Sequence, residues 1–235
     1  MVVRRLLPWP EGVGVSYIEP MSGPAVRGSG QNTFLTGDEQ TFSTPGDRVS
    51  FRLEFPPMQG ETARRFRAWK MGLANGANWT RFRVPDGDRA QWSEIGISGQ
   101  TALWNYQQTW SDGNPWEPHI GIVGVGGARA AGSNTVRLQN NNWANAIAVG
   151  WMLGFVPFHF GCYWVTEVLE DREFRIWPNL RSTLPANAAA TLQPVLAMAA
   201  VPNSASGGRG INSTEGESVA LREVINPYVQ AAAFF

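Results

Sequence analysis

The chain has 235 residues with 19 basic and 19 acidic side chains, a formal net charge of zero that lacks the basic excess of a typical nucleic-acid binder. Hydrophobic residues make up 43% and charged residues 16%, and 26 glycines with 16 prolines describe a loop-and-strand chain, not a helical bundle. This length suits one large all-β domain or two smaller ones, each able to bury a core.

Residues 1–10 carry two arginines and a short apolar run, but Pro8 and Pro10 interrupt it well short of a signal-peptide core. No apolar stretch approaches the ~20 residues that span a bilayer, so no membrane partner is expected. Residues 13–19 alternate weakly between Gly12 and Pro20 and predict a strand, and residues 23–30 predict a loop. Two short β-prone runs flank Thr36-Gly37-Asp38 within residues 31–42. Residues 47–55 alternate strictly, with Val49, Phe51, Leu53 and Phe55 on one face and Ser50, Arg52 and Glu54 on a solvated one. Pro56-Pro57 is expected to stop that strand.

The period then changes. Ala63, Phe66, Trp69 and Leu73 fall on one stripe of a helix predicted over residues 61–74, and Asn75-Gly76 supplies a left-handed stop. Arg64, Arg65, Arg67 and Lys70 spread over the rest of that helix. They read either as a solvated basic face or as a surface for an acidic neighbour or nucleic acid, and they are candidate subunit-interface residues. Residues 79–84 predict another strand, and Pro85-Asp86-Gly87-Asp88 a sharp turn at a candidate domain boundary. The pattern weakens over residues 89–132. The run Gly121-Ile-Val-Gly-Val-Gly-Gly127 lacks the Lys-Ser/Thr of a Walker loop and reads as a glycine-rich strand or turn.

Residues 134–139 and 149–155 predict strands, followed by a hairpin of residues 161–169 and 173–177 around the charged turn Glu170-Asp171-Arg172. Phe174 and Ile176 are expected to face Tyr163, Val165 and Val168. Four or five such strands between residues 134 and 193 suffice for a small barrel. Cys162, the single cysteine, is expected as a buried small hydrophobe, and His119 and His159 as packing residues, with no metal or cofactor. Residues 190–199 read as the last strand of this unit, 201–209 as a linker or loop, and 216–223 as a strand. The apolar end from Tyr228 needs a covering surface, which makes Phe234 and Phe235 candidate interface residues.

The runs Phe34-Leu-Thr-Gly-Asp-Glu-Gln-Thr-Phe42, Pro45-Gly-Asp-Arg-Val-Ser-Phe-Arg-Leu-Glu-Phe-Pro-Pro57 and Arg81-Phe-Arg-Val-Pro-Asp86 resemble tail proteins of long-tailed bacteriophages. Gly161-Cys-Tyr-Trp-Val-Thr-Glu-Val168 and Phe174-Arg-Ile-Trp-Pro-Asn-Leu-Arg181 are similar to the second half of the same family, the distal tail (Dit-like) proteins, related also to parts of gene transfer agents. The resemblance covers residues 31–86 and 134–199. It implies a mainly β chain: a β-sandwich ring domain with one packed α-helix, formed by residues 1–85 and completed by 200–235. Residues 86–199 would be an inserted small β-barrel, OB-like or galectin-like. It also implies a structural virion protein at the distal end of the tail, made in the host cytoplasm and arranged as a homohexameric ring. Its partners would be the tail tube, the hub or tip protein and the tape-measure protein, with genomic DNA passing through the channel unread.

No nucleophile elbow, zinc-binding helix, Walker loop or paired carboxylates in a recognisable context point to an enzyme. A glycosidase reading that uses Glu167 and Glu173 places both acids on a hairpin whose alternation suggests solvent or interface faces. The stronger alternative is a carbohydrate-binding module, because eleven tryptophans are present and Trp104, Trp110, Trp116 and Trp143 lie in loop-like surroundings suited to stacking on sugars.

Overall fold

The computed structural model describes residues 4–20, 26–28, 41–43, 48–84, 122–139, 147–156, 159–209 and 213–225. The early elements are β1 (Leu6–Leu7), β2 (Tyr17–Pro20), β3 (Val26–Gly28), β4 (Thr41–Ser43), β5 (Ser50–Glu54), β6 (Met58–Gln59), α1 (Gly60–Gly72) and β7 (Trp79–Arg83). There follow β8 (Ile122–Gly124), β9 (Thr135–Arg137), β10 (Met152–Val156), β11 (His159–Val168), β12 (Glu173–Trp177), β13 (Ala189–Thr191), β14 (Val195–Ala200), β15 (Ser206–Arg209) and β16 (Ser213–Glu223). The fold is mainly β, in keeping with a β-sandwich and a small barrel. The chain divides into two compact units, Met1–Pro85 with Val195–Phe235, and Asp86–Pro194.

The first unit is organised on β16, in a sheet ordered β1-β7-β14-β16-β5-β2. One side of β16 pairs with β5 (Leu53 opposite Val219) and then with β6 (Met58 opposite Thr214). Pro56-Pro57 therefore interrupts the ladder without ending it, and pairing resumes in the same register. The other side pairs with β14 (Ala200 opposite Leu221) and then with β15 (Arg209 opposite Thr214). β14 also pairs antiparallel with β7, Val195 opposite Arg83. The second unit is thus inserted between two adjacent strands of the first, where entry and exit lie one strand spacing apart.

The alternation of β5 is realised in full: Val49, Phe51, Leu53 and Phe55 are buried, while Arg52 and Glu54 are exposed. Helix α1 covers this apolar face with Ala63, Phe66 and Trp69, and Leu73 just beyond it is buried too. Trp69 stands edge-on to Trp9 at 5.1 Å, and Phe55 lies 4.6 Å from Phe66. Burying each such ring contributes about 1.5–3 kcal/mol. Because a buried indole N–H needs an acceptor, Trp69 Nε1 donates to Thr80 Oγ1 at 3.0 Å, which ties the helix to β7. The helix ends as the Asn75-Gly76 signal predicts, with Ala74, Asn75 and Gly76 all at positive φ. Asn78 Nδ2 closes the end by donating to Gly72 O at 2.7 Å.

The second unit is a six-stranded sheet ordered β8-β13-β10-β11-β12-β9. It curls until its edge strands meet: Val125 bridges Leu138, and Gly126 N donates to Arg137 O at 2.7 Å. The interior is apolar, built from residues such as Val136, Leu153, Phe155, Tyr163, Phe174 and Ile176. The β11–β12 hairpin forms around a 3₁₀ turn at Glu170–Arg172, with Trp164 opposite Trp177.

Several expectations are corrected. The register shifts between Val165 and Glu167, and this bulge places Val168 opposite Phe174, as expected, although Val168 stays 46% exposed at the end of β11. β3 occupies part of the expected loop 23–30, paired with β4, and β15 part of the expected linker 201–209, in a hairpin with β16. Residues 190–199 are not one strand. Gln193-Pro194 separates β13 of the barrel from β14 of the first unit, so the inserted unit ends at 194, not 199.

A methyl group at Gly76, where φ is +95°, would meet the backbone oxygen of Ala200 at 2.4 Å. Gly76→Ala is expected to destabilise the first unit by about 2 kcal/mol or more, combining the positive-φ cost with displacement of β14. Urea unfolding checks this; an unchanged midpoint contradicts the close approach.

Candidate functional site

The helix carries the cationic residues singled out in the sequence, and most of them are engaged within the first unit. Arg65 bridges Glu61 at 2.7 Å, one turn back on the helix, and Glu11 at 3.3 Å. Arg67 Nε donates to Ala63 O at 3.1 Å. Lys70 is ion-paired and hydrogen-bonded to the buried carboxylate of Glu217 on β16. Arg64 is exposed and has no partner among the described residues, and Met71 beyond it is 79% exposed. The structure therefore leaves Arg64 and Met71 as the outward part of this candidate interface.

A second cationic surface went unnoticed in the sequence. Residues opposite one another in register share a face, as do residues two apart on a strand. Arg81 lies opposite Ala197, Ala199 opposite Arg222, and Ala220 opposite Arg52. Arg52, Arg81, Arg83 and Arg222 consequently project from one face, the side of the sheet away from α1, and all four are exposed. Arg4 extends this set by stacking on Trp79, 5.4 Å from the ring centroid. Glu19, 3.5 Å from Arg52, and Glu54 form an acidic edge on β2 and β5. Each alternating run was legible, but the three strands come from residues 50–54, 79–83 and 213–223, and only their pairing joins the arginines.

The barrel holds one polar cluster with titration chemistry. His159 Nε2 lies 2.5 Å from the Tyr163 hydroxyl, and His159 Nδ1 lies 2.9 Å from Ser182 Oγ. The backbone N–H of Arg181 donates to the Tyr163 hydroxyl at 3.1 Å. A neutral imidazole, with one donor and one acceptor nitrogen, satisfies both hydroxyls in either tautomer. Burial, and then the charge of Arg181, lowers the His159 pKa from its ordinary 6.5 to about 4. The Ser182–His159 contact has the reach of a nucleophile–base pair, but the second ring nitrogen meets a tyrosine, not an orienting carboxylate. The cluster acts as a clasp from β11 to the segment after β12.

Glu167 is ion-paired with Arg175, and Glu173 with Arg129 at 2.8 Å, so both acids of the glycosidase reading serve as partners to arginines. Cys162 is buried, as expected of a small apolar side chain. No group of three or more metal-ligating side chains occurs among the described residues, and no helix among them is long and apolar enough to cross a membrane. Trp104, Trp110, Trp116 and Trp143, like His119, Phe234 and Phe235, lie outside the described residues. On the barrel, Trp164 and Trp177 are half-buried and tilt against one another at 5.6 Å.

Two outcomes follow from these contacts. Lys70→Met leaves the Glu217 carboxylate buried without its cation and is expected to cost about 1–3 kcal/mol in chemical unfolding, with the double variant Lys70→Met/Glu217→Met recovering most of the loss. For His159 the folded pKa lies below the unfolded one, so its contribution is complete above pH 6.5 and is lost as pH falls towards about 4, because the unfolded chain takes the proton first. His159→Gln is expected to remove up to about 3 kcal/mol of that acid dependence, measured as the difference between wild-type and variant urea midpoints from pH 7 to pH 4.

Compared with known proteins, the chain matches no protein-family model and no curated relative.

Proposed function

We propose that the protein is a structural subunit of a phage-type tail tip, forming a distal tail ring that joins the tail tube to the hub and surrounds the DNA channel. The observation that carries this reading is the insertion itself. A sheet unit with one packed helix is interrupted between β7 and β14 by a small closed barrel and completed by β16, an arrangement that suits a ring-building domain with an outward module. The runs at residues 34–42, 45–57, 81–86, 161–168 and 174–181, which resemble distal tail proteins, fall on both units and support it further. The partners in this reading are further copies of the chain, the tube, the hub and the tape-measure protein. The hydroxyl–imidazole cluster and the arginine-paired acids stabilise the fold in this reading, and no chemistry is assigned to them.

The alternative is a carbohydrate-binding module. It is favoured by the tryptophan content, with the half-buried Trp164–Trp177 pair adding an aromatic surface on the barrel.

Native mass spectrometry of the purified chain is expected to give a species of six copies, with Arg64→Glu shifting it towards monomer. A stable monomer that binds on a glycan array overturns the ring in favour of the module. A hexamer indifferent to Arg64→Glu removes the helix from the interface.

A further inference from the structure

We propose that the arginine-bearing face of the first unit's sheet binds the phosphate backbone of duplex DNA without reading its sequence. This goes beyond the ring: the face belongs to a single copy and needs no neighbour to complete it.

The chain as a whole is neutral, so the charge here is segregated, not a reflection of composition. Arg4, Arg52, Arg81, Arg83 and Arg222 share the face with Glu19 and Glu54, and both acids sit towards its β2 edge. Arg83 and Arg222 are exposed and have no ion-pair partner among the described residues. Arg81 and Arg83 stand about 6.7 Å apart along β7, and β7 lies three strand spacings, about 14 Å, from Arg52 on β5. A duplex presents a charge about every 1.7 Å of axis, so roughly eight phosphates pass within this span. Guanidinium groups match phosphate oxygens bidentately, and the backbone carries no base information.

What lies between the arginines decides against a protein partner. The side chains between them are mostly small, Ala197, Ala199, Ala220, Ser50 and Ser218 with Val195 opposite Arg83; Trp79 is buried, and the large exposed Tyr17 lies at the β2 edge beside Glu54, away from the centre. A stable protein interface needs large apolar or aromatic anchors at its centre. Phosphate binding needs only accessible cations on a smooth surface, which is what these small residues leave. Among the described residues no helix stands on this face, and its arginines project from strands towards the backbone of a duplex, so binding is independent of sequence.

The test is fluorescence anisotropy of the full chain with a labelled duplex of arbitrary sequence, about 20 bp long, titrated from about 50 mM salt upward. Saturable binding is expected, with a log–log salt slope of about −3 to −4. Arg83→Gln/Arg222→Gln is expected to weaken binding at least tenfold at low salt and to make the slope shallower by about 2. Arg83→Lys/Arg222→Lys, which keeps the charge, is expected to preserve the slope and guards against a folding defect. Arg175→Gln on the barrel, no part of this face, is expected to leave binding unchanged. Absence of binding, binding indifferent to the double Gln variant, an equal loss in Arg175→Gln, or equally tight capture of polyglutamate overturns the proposal.

Discussion

The first unit depends on the pairing of β16, a strand from the end of the chain, along both of its edges. β5 and β6 line one edge, and β14 and β15 the other. The ladders with β14 and β15 are local, but those with β5 and β6 close only across more than about a hundred intervening residues, so there the entropic cost of loop closure precedes the reward of pairing. The barrel is different. Its six strands fall within residues 122–191, and two of its five pairings, β10–β11 and β11–β12, join consecutive strands, so it closes within a shorter stretch of chain than the first unit. An insertion between two hydrogen-bonded strands suits this order, because its ends are held one strand spacing apart whatever lies between them.

The same central strand sorts the charges. Its inward Glu217 draws Lys70 from the helix down onto the sheet, and the helix acid Glu61 holds Arg65. The basic helix of the sequence is thereby largely neutralised by its own unit. The outward Arg222 of that strand meets arginines from β5 and β7 across a bed of small side chains. Both arrangements follow from strand parity, since residues 217 and 222 differ by an odd number and face opposite sides. A neutral chain has in this way acquired one face of strongly biased charge.

The groups of the barrel with chemical potential are each engaged by neighbours. His159 sits between two hydroxyls with its charged form disfavoured, Glu167 and Glu173 each meet an arginine, and Cys162 is packed away from solvent. His159 and Cys162 lie within the barrel, and the two ion pairs lie nearer its surface. The assembly subunit proposed above, whose work is done by surfaces, fits these placements.

Local pattern was enough for the elements whose partners lie nearby or whose periodicity is strong. The β5 alternation, the Ala63–Phe66–Trp69–Leu73 stripe, the Asn75-Gly76 stop and the β11–β12 hairpin all follow from propensity, period and turn chemistry acting over fewer than about fifteen residues. Tertiary structure decided the rest. β3 and β15 take residues that look like loop into ladders with β4 and β16; a bulge in β11 brought Val168 opposite Phe174; and Gln193-Pro194 divided one apparent strand between two units. The candidate surfaces divide in the same way. The cationic helix was visible as a run of residues, but its neutralisation and the arginine face depend on which strands lie side by side, and side-by-side order is set by long-range pairing that no local window contains.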